Sequence, residues 1–283
     1  MAAVLLDGKK LSDELFLEQK ARVDKLHEQG KNVALAVVLV GEDPASQTYV
    51  RNKQLACDKL GIESTTHVLP ADITQQELED ALDALCADDR VDGVLLQLPL
   101  PKGLSEQSAL MHIAPHKDVD GFHPLNQGAL FAGQDCVVAC TPKGVVSMLK
   151  SYNVPLRGKH AVVVGRSSIV GKPAAHLLLQ ENCTVTVCHS QTQDLAAITR
   201  QADILVAAVG KAKVITADMV KEGAAVVDVG INRVDGKLCG DVDFDAVAPK
   251  AGWISPVPGG VGKMTVAMLM DNVISAAEKR MTK

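Results

Sequence analysis

Short runs that are apolar at nearly every position, each followed by a stretch of helical periodicity, dominate this chain. "VALAVVLVG" (33–41) has no wet-and-dry alternation, so as a strand it must be covered on both faces. Asp43 and Pro44 then supply a helix cap and a first helical position, and Gly61 a stop. A strand near 65–69, a helix near 74–86 and a third strand, "GVLLQLPL" (93–100), repeat the unit. The rhythm restarts after residue 140 with a helix, "TPKGVVSMLKSY" (141–152), capped by Thr141 and opened by Pro142. Strands "HAVVVG" (160–165), "TVTVCHS" (184–190), "DILVAAVG" (203–210) and "AAVVDVG" (224–230) follow, with a helix at 170–181 after the first. The pattern predicts an α/β protein of two domains on mostly parallel sheets, with the active-site cleft between them. The amphipathic C-terminal segment (262–281) is expected to pack back on the first domain. That makes 1–140 with 264–283 one domain and 141–263 the other.

At 283 residues, 47 % of them hydrophobic, the chain can bury a sizeable core, which argues against disorder. A formal charge of -5 and the lack of any Lys/Arg run exclude a general nucleic-acid binder. The first apolar stretch meets Asp7 too early for a signal peptide, and no apolar run approaches the ~20 residues of a membrane span. The seven cysteines form no CxxC pair. Cys136 and Cys140 have a metal-like spacing, but no matching His/Cys pair follows, so no metal is expected and the thiols read as buried and reduced. A soluble cytoplasmic protein is expected.

Between the strand at 160–165 and its helix lies "GRSSIVG", Gly165 to Gly171. Strand, glycine loop and helix N-terminus together present backbone N–H groups to a pyrophosphate. The run departs from G-x-G-x-x-G, because Ser167 replaces the second glycine and Gly171 falls one place late. By itself it fits a tight structural turn as well as a dinucleotide site; its setting favours the dinucleotide and a Rossmann-type second domain. A site for NAD puts an acid at the end of the next strand. Here that strand ends "CHSQT", with no acid before Asp194, while His189 and Ser190 offer donors and Arg166 a cation. A 2′-phosphate needs such groups, so NADP is expected; the alternative is an Arg166 that merely faces solvent.

Aromatics are only 2 % of the chain, and one of its two tyrosines, Tyr49, stands four residues before Lys53. On a helix that follows a strand, the two share a face near the sheet edge where α/β proteins bind ligands. Gln97, in the otherwise apolar third strand, must find hydrogen-bond partners and is placed to orient the Lys53 amine. A lysine base must be neutral, a form that burial favours; otherwise Lys53 is an ordinary solvated lysine. Tyr49 offers its ring either to a planar substrate or to the core. Asp118 and Asp120 share the loop "KDVDGFHP" (117–124). One reads as a turn residue, the other as an acceptor for donors on a ligand.

Three glycines within four residues, beside Pro256 and Pro258 in "SPVPGGVGKMTVAML" (255–269), suit backbone held close to a ligand. With "DGVLLQLPLP" (92–101), "KDVDGFHP" and "DVGINR" (228–233), in order over essentially the whole chain, this resembles the methylenetetrahydrofolate dehydrogenase/methenyltetrahydrofolate cyclohydrolase family. The resemblance implies a bifunctional, usually homodimeric enzyme of one-carbon folate metabolism, serving purine biosynthesis. It would oxidise 5,10-methylenetetrahydrofolate with NADP to the 5,10-methenyl cation, then hydrolyse that cation to 10-formyltetrahydrofolate in the same cleft. The resemblance further implies Lys53 as catalytic lysine with Gln97 as partner, Tyr49 packing on the folate, and Asp120 binding the pterin. Pro258 and Gly259 become backbone lining the folate pocket, and Gly165, Arg166, Ser167, Ser190 and Ile231 cofactor contacts. Two positions depart from the family: Lys263 stands where proline is usual, and Cys86 where asparagine is common. Lys263 either alters the start of the C-terminal helix or adds a charge near the cleft. Two competing readings are a shikimate-dehydrogenase-like oxidoreductase, whose small hydroxy acid needs neither Tyr49 nor the last glycine loop, and a non-catalytic NADP binder.

Overall fold

The computed structural model describes residues 2–281. The chain divides into two compact units: the segment ending at Asp13 joins Ala139–Thr265, and Glu14–Val138 joins the segment from Val266 onward.

The Glu14–Val138 unit is built on three parallel strands in the order Glu63–Leu69, Ala34–Val40, Gly93–Leu96. The central strand is buried almost throughout, as its unbroken apolar run requires. The helix Pro44–Leu60 starts and stops as expected: the Asp43 carboxylate accepts the Ser46 N–H at 2.8 Å, and Gly61 closes it at φ 79°. The third strand ends at Leu96 instead of 100, where Pro99 and Pro101 remove N–H donors; the Gln97 N–H still reaches the Val38 carbonyl at 2.9 Å. Short helices Glu106–Met111 and Pro124–Phe131, with too few turns to show a period, complete the connection. From Val266 the C-terminal helix (Val261–Met281) packs into this unit as expected. Gln19 donates to the Ala267 carbonyl at 2.8 Å, Asn272 donates to the Val119 carbonyl at 2.9 Å, and Arg22 pairs with Asp271 and Glu278.

The other unit carries six parallel strands in the order Val4–Leu5, Trp253–Ile254, Ala225–Asp228, Ile204–Ala207, His160–Val164, Thr184–Cys188. The leading residues, expected with the first domain, lie here because Val4 and Leu5 pair with Trp253 and Ile254 as an edge strand. A second correction concerns Thr141. The helix Cys140–Ser151 has Ala139 at its cap position with no side-chain hydrogen bond, and Thr141 falls inside the first turn. Its hydroxyl is drawn instead to that of Thr265, 2.9 Å away.

In both sheets the first strand of the unit's core lies between its second and third. Connections therefore leave the first strand in opposite directions, and a crevice opens beyond the carboxyl ends at that point.

Candidate active site

In the smaller sheet the switch point falls between Ala34–Val40 and Gly93–Leu96. Lys53 on the helix after the first strand and Gln97 at the end of the third meet there. Lys53 Nζ donates to Gln97 Oε1 at 3.1 Å. Gln97 is buried, and its Nε2 donates to the Leu98 carbonyl at 2.6 Å, which turns the amide oxygen toward the lysine. The glutamine thus satisfies its partners and fixes where the half-buried amine points. Tyr49, one turn earlier on the same helix, is 44 % exposed, so its ring does not serve the core. The loop's two aspartates also separate. Asp118 is buried and accepts N–H groups from Gly121 at 3.1 Å, His123 at 2.8 Å and the Asn126 amide at 2.9 Å. It is the turn residue, and it shapes the loop that carries half-buried Asp120. Cys86 accepts the Ala114 N–H on Sγ at 3.3 Å, a weak acceptor that ties its helix to the loop, and burial pushes the thiol pKa up.

The six-stranded sheet has its switch point between His160–Val164 and Ile204–Ala207. Gly165 lies at that edge with φ 133°, and a Cβ there would overlap the Ala208 carbonyl. A Cβ at Gly171 would in turn overlap the Gly165 carbonyl, so the late glycine packs the helix Gly171–Gln180 onto the strand end. The helix has no cap from Val170; the Ser167 hydroxyl accepts the Val170 and Gly171 N–H groups at 3.2 and 3.3 Å. Arg166 and Ser190 are exposed, and Arg166 makes no side-chain hydrogen bond among the described residues. The first acid beyond, Asp194, spends its carboxylate on the Ala197 N–H at 3.1 Å as a cap. A close-packed glycine turn, exposed cationic and hydroxyl groups and an Asp194 engaged as a cap fit a 2′-phosphorylated dinucleotide.

Sequence reasoning missed the pair that holds the next loops. Buried Asp228 accepts N–H groups from Gly230, Asp241 and Val242, each at 2.9 Å. Buried Asp241 accepts from Val209 at 2.6 Å, Gly210 at 2.9 Å, Lys211 at 2.8 Å and the Asn232 amide at 2.9 Å. A Cβ at Gly230 would overlap the Asp241 carboxylate, and one at Gly240 that of Asp228. "DVG" (228–230) and "GDV" (240–242) are thus reciprocal halves of one clasp, a relation between distant segments with no local periodicity to betray it. Ile231, 49 % exposed, is carried on the clasped loop. Pro258 and Gly259 sit in the loop after Trp253–Ile254, with Gly259 at φ 105°. Lys263 is exposed in the first turn of the helix that begins at Val261. Among the described residues, no group of three or more His, Cys, Asp or Glu side chains is placed to hold a metal ion.

Comparison with known proteins agrees with both halves of this arrangement. Residues 6–120 match the family model described as the tetrahydrofolate dehydrogenase/cyclohydrolase catalytic domain, and residues 139–281 the NAD(P)-binding domain of the same family. The bifunctional protein FolD of Halalkalibacterium halodurans is 55 % identical over 279 residues, covering 99 % of this chain and 100 % of that protein. Among solved structures, the FolD methylenetetrahydrofolate dehydrogenase/cyclohydrolase of Campylobacter jejuni is 49 % identical with a TM-score of 0.97, covering 99 % of this chain and 100 % of its own. The methylenetetrahydrofolate dehydrogenase-cyclohydrolase of Trypanosoma brucei, complexed with NADP and an inhibitor, is 36 % identical with a TM-score of 0.95 and complete coverage of both chains. This chain belongs to the tetrahydrofolate dehydrogenase/cyclohydrolase family.

Proposed function

We infer that the protein oxidises 5,10-methylenetetrahydrofolate with NADP and hydrolyses the resulting 5,10-methenyl cation to 10-formyltetrahydrofolate. In this reading the unit built on Ala34–Val40 is the folate-binding catalytic domain and the one built on His160–Val164 binds NADP. The observation that carries the hydrolytic half is the Lys53–Gln97 hydrogen bond at the switch point.

When bound, NADP supplies the acceptor for the hydride that leaves the bridging methylene carbon. The chain's part in that step is positioning. Tyr49 stacks on the folate, Asp120 accepts from the pterin, and Pro258 and Gly259 offer it their backbone. Gly165 and Ser167 shape the phosphate turn, Arg166 and Ser190 take the 2′-phosphate, and Ile231 packs against the cofactor.

In the hydrolysis, water adds to the bridging carbon of the methenyl cation. Lys53, aimed by Gln97, takes the proton from that water. The adduct collapses: its hydroxyl loses a proton to become the formyl carbonyl, the bond to N5 breaks, and N5 receives the proton that Lys53 holds. The net release is one proton. Placed proton transfer is worth typically ~10²–10⁴-fold, so Lys53→Met loses hydrolysis by about that factor. With methylenetetrahydrofolate and NADP, wild type shows little methenyl absorbance while K53M accumulates it. Full hydrolysis by K53M overturns the role of Lys53, and no NADP reduction by either protein overturns the function.

No described helix is long and apolar enough to cross a membrane. We place the enzyme in the cytoplasm, in the one-carbon supply to purine biosynthesis, and take it to be a homodimer. The surface that suits a dimer contact is the strand Glu63–Leu69, a sheet edge exposed along most of its length, with Val68 61 % exposed.

A further inference from the structure

We propose that Asp7, Gly8 and Lys9, anchored by Tyr152, are positioning residues that clamp the Pro258–Gly260 loop; the proposal rests on the reading that this loop presents backbone to the folate. The Leu6 N–H donates to the Ile254 carbonyl at 2.8 Å, which ties the start of the chain to the strand that leads into the loop. Gly8 is buried, and a Cβ there would overlap the Gly260 carbonyl. The Lys9 N–H, one of the donors a helix start leaves unpaired, reaches the Gly259 carbonyl at 2.9 Å. On its inner side the loop has no slack either, since a Cβ at Gly260 would lie 2.5 Å from the Pro256 carbonyl oxygen.

Asp7 holds the clamp in place from two directions. Its carboxylate caps the helix Gly8–Glu28 by accepting the Lys10 N–H at 2.9 Å. Its backbone is gripped by the chain's second tyrosine: the Asp7 N–H donates to the Tyr152 hydroxyl at 3.0 Å, and that hydroxyl donates back to the Asp7 carbonyl at 3.2 Å. A hydroxyl can do both at once, having one donor and two acceptor sites. Tyr152 stands just past the helix Cys140–Ser151, so the hold on the loop is transmitted from a second element. Helix formation alone does not call for glycine at position 8, since alanine is the better helix former. Close approach to the Gly260 carbonyl does.

The test compares Gly8→Ala, Tyr152→Phe and Gly259→Ala with wild type, measuring KM for methylenetetrahydrofolate, KM for NADP and thermal unfolding. Displacing a positioning loop by about 1 Å costs up to ~10²-fold, so G8A is expected to raise the folate KM about tenfold or more. Its NADP KM stays near wild type. Y152F removes only a hydroxyl, folds, and raises the folate KM by a smaller factor in the same sense. If G259A raises the folate KM while G8A and Y152F do not, the clamp is overturned and the folate reading of the loop stands. If G259A also leaves the folate KM unchanged, that reading fails and the proposal with it. A parallel rise in both KM values with a lowered melting temperature in G8A and Y152F means a general structural role and overturns the clamp.

Discussion

In the proposed reading, the choice between two cofactors alike but for one phosphate falls to Arg166 and Asp194. The Asp194 carboxylate is turned into the cap of the helix Leu195–Thr199, so it does not stand where an acid would bind a ribose 2′-hydroxyl and repel a phosphate. The Arg166 guanidinium is exposed and its planar donors are uncommitted among the described residues. A hydrogen bond to a charged group contributes about 1.5–3 kcal/mol, or roughly 10- to 100-fold. Arg166→Ala is therefore expected to raise KM for NADP by that factor and KM for NAD far less, in initial-rate measurements with each cofactor. Equal losses would remove Arg166 from the 2′-phosphate. The preference was legible in the sequence because a missing acid is visible by position. So was the Lys53–Gln97 pair, since a glutamine in an apolar strand demands partners. The use of Asp194 as a cap was not read there, although Asp194 itself takes φ 44° and aspartate both tolerates that region and favours the cap position.

The ends of the strands, rather than the strands themselves, are held by the Asp228–Asp241 clasp, and its chemistry makes it sensitive to pH. Burial pushes the Asp228 carboxyl up to about 6, and the neighbouring Asp241 pushes the same way, against three backbone N–H donors that favour the anion. Its sign is opposite to that of a paired surface carboxylate. The folded protein binds this proton more tightly than the unfolded chain, whose aspartates titrate near ~4. Its contribution to stability is fully present below about pH 4 and is lost as pH rises through about 6. Two pKa steps correspond to about 3 kcal/mol, so the stability of wild type relative to Asp228→Asn should fall by up to that amount between about pH 4 and pH 7. Carbon NMR of the aspartate carboxyls should show a midpoint near 6 that D228N removes; a midpoint near 4 and a flat difference would refute it. The strands feeding the clasp were legible as apolar runs. The clasp was not, and neither was the edge strand Val4–Leu5, because both depend on pairings between residues far apart in sequence.

At the scale of the whole molecule, the proposed homodimer rests on the strand Glu63–Leu69, whose only sheet partner among the described residues is Ala34–Val40. The pairing opens with the Glu63 N–H on the Val33 carbonyl, so with alternation along a strand Ser64, Thr66 and Val68 turn their N–H and carbonyl groups outward. Seven residues of edge with an exposed valine and no proline are what natural sheets normally blunt, unless another chain covers them. A second copy related by a two-fold axis would meet this strand with its own, antiparallel, and pair the outward groups. Proline is tolerated on an edge strand where its missing N–H faces away from the ladder. Thr66→Pro therefore removes an outward donor while leaving the bonds to Ala34–Val40 intact, and Thr66→Ala controls for the lost side chain. Sedimentation at micromolar protein should give the mass of two chains for wild type and T66A, and a shift toward one chain for T66P with far-UV circular dichroism preserved. A T66P protein that stays dimeric would move the contact to another face, and a wild type that sediments as one chain would leave this edge uncovered and the homodimer reading wrong.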